Sequence, residues 1–298
     1  MNINGIINVN KQKGYTSHDV VAVIRRITKS KTGHTGTLDP DAEGVLPICL
    51  GGATKLSEYL AADDKKYTAE VLLGIVTDTG DISGNIIEKR DVTLTLEQIQ
   101  EVAASFLYKN IGIYMQTPPM YSAIKIGGKK LYELARRGIE IERPPRQVMI
   151  HDIRIHSLGE SSFTMDVSCS KGTYIRSLCM DLGEKLGCGA VMGNLTRTAS
   201  GLFDIKTAVK LKTLRQATDL SEYILAPEEV LPHPMFHIRQ EGMKRALNGN
   251  QIPSSYVINA ENAPENGMFW LKYENQTVGL YKKVNNEFLP KAIIINKV

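Results

Sequence analysis

Gly33–Pro47 reads GHTGTLDPDAEGVLP. Three glycines and two prolines break the stretch, so it is neither a regular helix nor a long strand. Pro40 restricts Asp39 to extended backbone and offers no main-chain donor of its own. Gly33, Gly36 and Gly44 let the chain turn tightly and leave room for a ligand. Such a loop holds a carboxylate in one place, as a nucleophile, a base or a metal ligand requires. Three chemistries fit it. Asp39, Asp41 and Glu43 could form a cation site, although no other cluster has ligand spacing. Two carboxylates could flank a glycosidic bond, although no second acid can be picked out. A single aspartate could act beside an arginine that keeps it ionised.

Working outward, HDVVAVIRRI before the loop has apolar residues at helical spacing, with Ser17 as the expected N-cap. GGATKLSEYLA after it reads as a short helix. YTAEVLLGIV alternates as a strand that opens on Tyr67. TDTGDISGN reads as a turn whose aspartates are solvated, since the calcium-loop spacing is missing. TLEQIQEVAASFL is a helix with Thr95 as cap. VMIHDIRIHSL and FTMDVSC are strands, and SKGTYIRSLCMDLGEKLG is a helix ended by Gly187. Arg176 then lies in the first turn of a helix that follows a strand. LPHPMFHI, with prolines at 232 and 234, reads as a linker to a small β domain.

The chain has 298 residues, 42% hydrophobic and 23% charged, enough for one large domain or two unequal ones. No apolar run approaches the ~18–20 residues that span a bilayer. MNINGIINVNKQKG lacks an apolar leader, so a cytoplasmic location is expected. Cys49, Cys169, Cys179 and Cys188 form no C-x-x-C pair and read as small core residues. The net charge of +4 is modest, but Ser122–Val148 alone carries seven basic residues against three acidic ones. Lys125, Lys129, Lys130, Arg136, Arg137, Arg143 and Arg146, interleaved with Tyr121 and Tyr132, make a polyanion a plausible partner. No Walker A motif or nucleophilic serine context is present.

Together these stretches resemble the TruB-type tRNA pseudouridine synthases. GHTGTLDPDAEGVLP is similar to that family's catalytic loop, and VNKQKGYTSHDVV to its opening segment, with Gln12 where proline is usual. KKYTAEVLLGIVTDTGDISG resembles its tyrosine strand, and TPPMYSAIKIGGKKLYELARRGIEIERPPR its RNA-gripping insertion. CSKGTYIRSLCMDLGEKLG and GNLTRTASGLF resemble its Tyr-Ile-Arg and Leu-x-Arg segments.

The resemblance implies an α+β fold: a mixed, largely antiparallel sheet with helices, as catalytic domain 1–235 with an insertion at about 112–148. A PUA-like RNA-binding β-barrel would occupy 236–298. It implies isomerisation of uridine to pseudouridine at position 55 of the tRNA T loop, by base flipping and without a cofactor or metal. Asp39 would be the nucleophile, attacking C6 of the ring or C1′ of the ribose, and Arg176 its ionic partner. Tyr67 would stack on the flipped base and is the candidate base for a later proton transfer. Leu195 would close the other side of the ring, and His34 would fill the space the base leaves. Tyr174 and Lys11 would support the pocket, with Lys55 and Arg197 as further RNA or structural contacts. Lys125, Lys129, Lys130, Arg136, Arg137 and Arg146 would meet RNA phosphates. The expected partner is tRNA, with the acceptor stem held by the C-terminal domain, no membrane, and a monomeric protein. The rival reading is a tRNA-binding or tRNA-folding chaperone with secondary catalysis, and a hydrolase acting on the same bond is a further one.

Overall fold

The structure is a computed structural model that describes residues 3–107 and 113–295. Residue 112, where the insertion is expected to begin, lies outside the described residues. Contacts divide the chain into two compact units. One comprises Met1–Pro40, Gly44–Ala62 and Leu202–Val298; the other comprises Asp41–Glu43 and Asp63–Gly201.

The first unit is built on strand Gly5–Lys11, whose residues are almost all buried. It pairs antiparallel with Glu43–Leu50, from Gly5 opposite Leu50 to Lys11 opposite Gly44, and parallel with Val209–Lys210. Thr32–His34 adds to the far edge of Glu43–Leu50. Helix Ser17–Thr28 buries Val20 and Ile24 of the face Val20, Val23, Ile24 and Ile27 that its apolar spacing foretold, leaves Val23 and Ile27 half-buried, and buries Val21 as well. Its N-cap is Thr16, not Ser17: the Thr16 hydroxyl accepts from Asp19 N–H, and the Asp19 carboxylate accepts from Thr16 N–H. Ser17 is thereby released for another task, described below.

In the same unit a five-stranded sheet runs in the order Met235–His237, Met268–Tyr273, Gln276–Val284, Glu287–Ile293, Ile252–Pro253. The stretch read as a linker is therefore partly a strand, with Met235 opposite Trp270 in parallel pairing. Its prolines precede the strand, and it lies at the sheet edge, where a missing donor costs little. This sheet and helix Gln240–Leu247 enclose a core around Phe269, Leu271, Val278, Tyr281 and Phe288. A second core joins Ile6, Val45, Cys49, Leu56 and Leu60 to Trp270, Leu280, Ala292 and Ile294.

The second unit has four antiparallel strands in the order Ile150–Leu158, Ser162–Cys169, Lys65–Leu73, Ala190–Ser200. Alternate residues Ala69, Val71, Leu73, Phe163, Met165, Val167 and Cys169 are buried, as period two requires. Helix Ile175–Lys185 packs on Ala190–Ser200 through an apolar face that includes Leu178, Cys179 and Leu182. The four cysteines are free and buried, and burial pushes the Cys49 thiol up to about 12. A mixed, mainly antiparallel sheet with helices is thus observed. No helix among the described residues is long and apolar enough to cross a membrane.

Candidate functional site

The loop around Asp39 is held on both sides. Before it, Ser17 Oγ accepts from Leu38 N–H at 2.9 Å and donates to Leu38 O at 3.1 Å. After it, Pro40 O accepts from Gly14 N–H at 2.9 Å and from Lys11 Nζ at 3.1 Å. Lys11 is fully buried, and its ammonium also donates to Gln12 O at 3.2 Å. The peptide carrying Asp39 is therefore clamped between a helix start and the end of the first strand, while Asp39 itself is half-buried. Gly44 closes the loop with φ of 104°, a conformation that favours glycine.

His34 ends the short strand Thr32–His34 and is also oriented. Its Nδ1 accepts from Gly36 N–H at 3.3 Å, and its ring meets His18 edge-on at 5.6 Å. Lys55 donates to Ile293 O at 2.7 Å, a tie to the C-terminal sheet and so a structural contact.

In the other unit, Tyr67 lies on the strand between two neighbours, opposite Val167 on one side and Arg197 on the other. Leu195 is opposite Ala69, two residues along. Directly opposed residues share a face, so Tyr67, Leu195 and Arg197 are brought together. Arg197 is only 2% exposed. Lys65 is also buried, and burial, with help from Arg197, pulls its pKa down.

Arg176 is 4% exposed, in the first turn of its helix as expected. Its Nη2 donates to Tyr121 O at 2.7 Å and its Nη1 to Thr79 O at 3.3 Å. Its Nε lies 3.7 Å from Asp81 Oδ2. The turn read as solvated is therefore a cradle for the arginine. Thr79 Oγ1 and Ser83 Oγ both donate to Asp81 Oδ1, which fixes the carboxylate. Sequence reasoning missed Asp81; the available signal was a second aspartate, with Thr79 and Gly80 just before it, directly after the tyrosine strand. Tyr174 caps the same helix by its backbone position, held by the side chain of Gln116.

The basic segment forms a small hairpin, Lys125–Ile126 with Lys129–Lys130, turning on Gly127 and Gly128 at φ of 58° and 81°. Helix Leu131–Ala135 follows, seated by buried Leu131 and Leu134. Tyr132 has Lys130 Nζ and Arg136 Cζ each 5.4 Å from its ring centre. Lys125, Lys129, Arg136, Arg137 and Arg146 are exposed and Lys130 half-buried. Arg143 differs: it binds Pro118 O and Glu140, which ties the segment to itself. No group of three or more His, Cys, Asp or Glu that could hold a metal occurs among the described residues.

Comparison with known proteins follows the same segments. A model of the TruB family pseudouridylate synthase N-terminal domain matches residues 25–175, and one of the tRNA pseudouridylate synthase B C-terminal domain matches 176–231. The chain is 49% identical over 291 residues to tRNA pseudouridine synthase B of Alkaliphilus oremlandii, covering 96% of this chain and 94% of that one. It is 47% identical over 301 residues to the protein of the same name from Clostridium perfringens, covering 99% and 100%. Among solved structures, the archaeal box H/ACA sRNP Nop10–Cbf5 complex contains a chain of similar fold, with TM-score 0.69 and 24% identity over 98% of this chain and 86% of that one. A Cbf5–Nop10–Gar1 complex gives 0.68 and 25%, over 99% and 84%.

Proposed function

The chain belongs to the TruB family of pseudouridylate synthases, and from that membership we propose that it converts uridine 55 in the tRNA T loop to pseudouridine, with Asp39 as nucleophile. The observation that carries the residue assignment is the clamp on the Asp39 peptide, made by Ser17 on one side and by Gly14 and Lys11 on the other. A carboxylate that must form and then break a bond to a sugar or base gains most from a backbone that does not move.

The reaction is an isomerisation, so atoms balance without a co-reactant. The C1′–N1 bond breaks, the uracil turns, and C5 bonds to C1′. The proton on C5 leaves and N1 gains one. In the proposal Arg176 pairs with Asp39 and keeps it ionised, and Tyr67 stacks on the flipped base and is the candidate base for the C5 proton, acting only as its own phenolic proton passes on to solvent. Leu195 covers the other ring face, and the shared face of Tyr67 and Leu195 supports this pairing. His34 fills the space vacated in the T loop. Flipping costs a few kcal/mol, which stacking and that filling offset. Lys11 acts by holding backbone, Tyr174 by starting the helix that carries Arg176, and Arg197 by backing Tyr67. The exposed lysines and arginines of the hairpin segment contact phosphate and position the RNA without reading sequence.

The remaining parts of the proposal are a PUA-like module at 236–298 that holds the acceptor stem, a monomeric protein, and a cytoplasmic location. The separate aromatic core of the C-terminal sheet, with Phe236 edge-on to Phe269 at 5.3 Å, supports a module with its own packing.

The test uses a tRNA transcript tritiated at uracil C5. One tritium released per tRNA, mapped to position 55 and absent with Asp39→Asn, is the expected result. Tight binding without release would favour a binding or folding protein. Free uracil as product would mean a hydrolase.

A further inference from the structure

The basic arm closes on itself at its base. Strand Tyr114–Gln116 pairs with Arg146–Val148, with Gln116 opposite Arg146. Four side-chain bonds join this stem and the residue after it to one face of helix Ile175–Lys185 and its cap. Gln116 Oε1 accepts from Tyr174 N–H at 2.7 Å, and Gln116 Nε2 donates to Tyr174 O at 2.9 Å. Ser177 Oγ donates to Thr117 O at 2.9 Å, and Tyr114 OH donates to Asp181 Oδ2. Positions 174, 177 and 181 fall on one helix face. Inside the arm, Tyr121 O receives Arg176 Nη2.

We propose that Gln116 is a positioning residue: its amide grips both backbone groups of Tyr174 and so sets the helix start that aims Arg176, linking the stem of the RNA-binding arm to the catalytic arginine. The inference rests on the functional reading above for the role of Arg176, and it goes beyond it by assigning a residue that touches neither substrate nor reacting atoms. Gln116 is 2% exposed. A buried amide that meets one N–H and one C=O of a single residue satisfies a helix cap that has no side chain of its own for the purpose. No aliphatic residue of similar size can do this. The stem also lies between two functions, since the exposed Arg146 is directly across the ladder.

Gln116→Glu provides a conditional version of the clamp. A protonated carboxyl has one acceptor and one donor and reproduces both bonds; the ionised form only accepts and opposes Tyr174 O. Burial disfavours the ionised form, so the variant's carboxyl titrates above the ordinary range near ~4.3. Asp181, reached through Tyr114, and the neighbouring Arg176 and Arg146 are common to all the proteins compared, so only differences between variants are read.

The experiment measures single-turnover tritium release from C5-labelled tRNA across pH, with tRNA binding measured alongside. Gln116→Ala should lower the rate by about tenfold to a hundredfold at every pH, with the Kd for tRNA changed by no more than about twofold. Gln116→Glu should approach the wild-type rate at the acid end and fall away as pH rises, while its circular dichroism shows it folded throughout. A Gln116→Glu profile parallel to wild type, or loss of binding in place of rate, overturns the proposal. Amide hydrogen exchange at Tyr174 decides the clamp without the reaction: Gln116→Ala should speed it, and unchanged exchange overturns the clamp. Should wild type release no tritium, the functional reading fails, and exchange still decides whether Gln116 grips Tyr174.

Discussion

The Asp39 loop and the basic arm are both irregular, glycine-punctuated segments, yet they are organised in opposite ways. The loop turns its polar contacts inward, with Leu38 and Pro40 tied to Ser17, Gly14 and Lys11. The arm keeps its backbone simple, a two-glycine hairpin and a short helix, and leaves most of its charges in solvent. A reacting carboxylate must be held in one place, and a phosphate grip needs charge that can adjust. Irregular backbone is therefore no measure of looseness; where its hydrogen bonds end is.

The contrast can be broken most directly at Asp39. Asp39→Asn should abolish pseudouridine formation while leaving tRNA affinity within about threefold, since uncharged Asn keeps the shape; a large loss of affinity would merge the two regions' roles. Gly44→Ala comes next. Its φ of 104° strains any side chain, so a cost of about 1–3 kcal/mol in denaturant unfolding is expected, with a slower reaction. Ser17→Ala strips both partners from Leu38 and should cost about 1–3 kcal/mol, read as a lower urea midpoint, and reduce the single-turnover rate. In the arm the effects move to binding. Lys130→Ala or Arg146→Ala should each flatten the plot of log affinity against log salt by about 0.7–0.9, with the rate at saturating tRNA unchanged. The smallest effect is expected from Gly128→Ala. Its φ of 81° is also strained, but no atom lies within 4 Å of the added carbon, and few contacts depend on it. Its unfolding midpoint should fall less than that of Gly44→Ala, because backbone strain is its only cost.

The same contrast explains what could be read from sequence. Strands of period two and amphipathic helices were legible because burial imposes their spacing: Tyr67–Leu73 and Val20–Ile24 are examples. The loop was legible as a rigid support for Asp39 because glycine and proline mark such turns. The partners were not. Ser17 looks like a cap, and only the Thr16–Asp19 reciprocity shows that it is free to hold Leu38. Asp81 looks solvated until Arg176, far along the chain, is brought beside it. Gln116 is an ordinary polar residue until the helix start it grips is in view. Prolines at 232 and 234 suggest a linker because proline removes donors, a rule that an edge strand beginning just after them does not violate. Sequence periodicity reports which side faces the core, but not which distant polar group meets which.

The core that joins Ile6 and Val45 to Trp270, Leu280 and Ile294 has a consequence in time. Asn4 Nδ2 donates to Ile294 O, across 290 positions of chain. On a ribosome adding about 5–20 residues each second, the strand leading out of the Asp39 loop would wait roughly 10–50 s for the segment that covers it. Until then its apolar face stays open to water, to chaperones and to other nascent chains. Synthesis rate, and not only sequence, thus bears on how much of this protein reaches its active form.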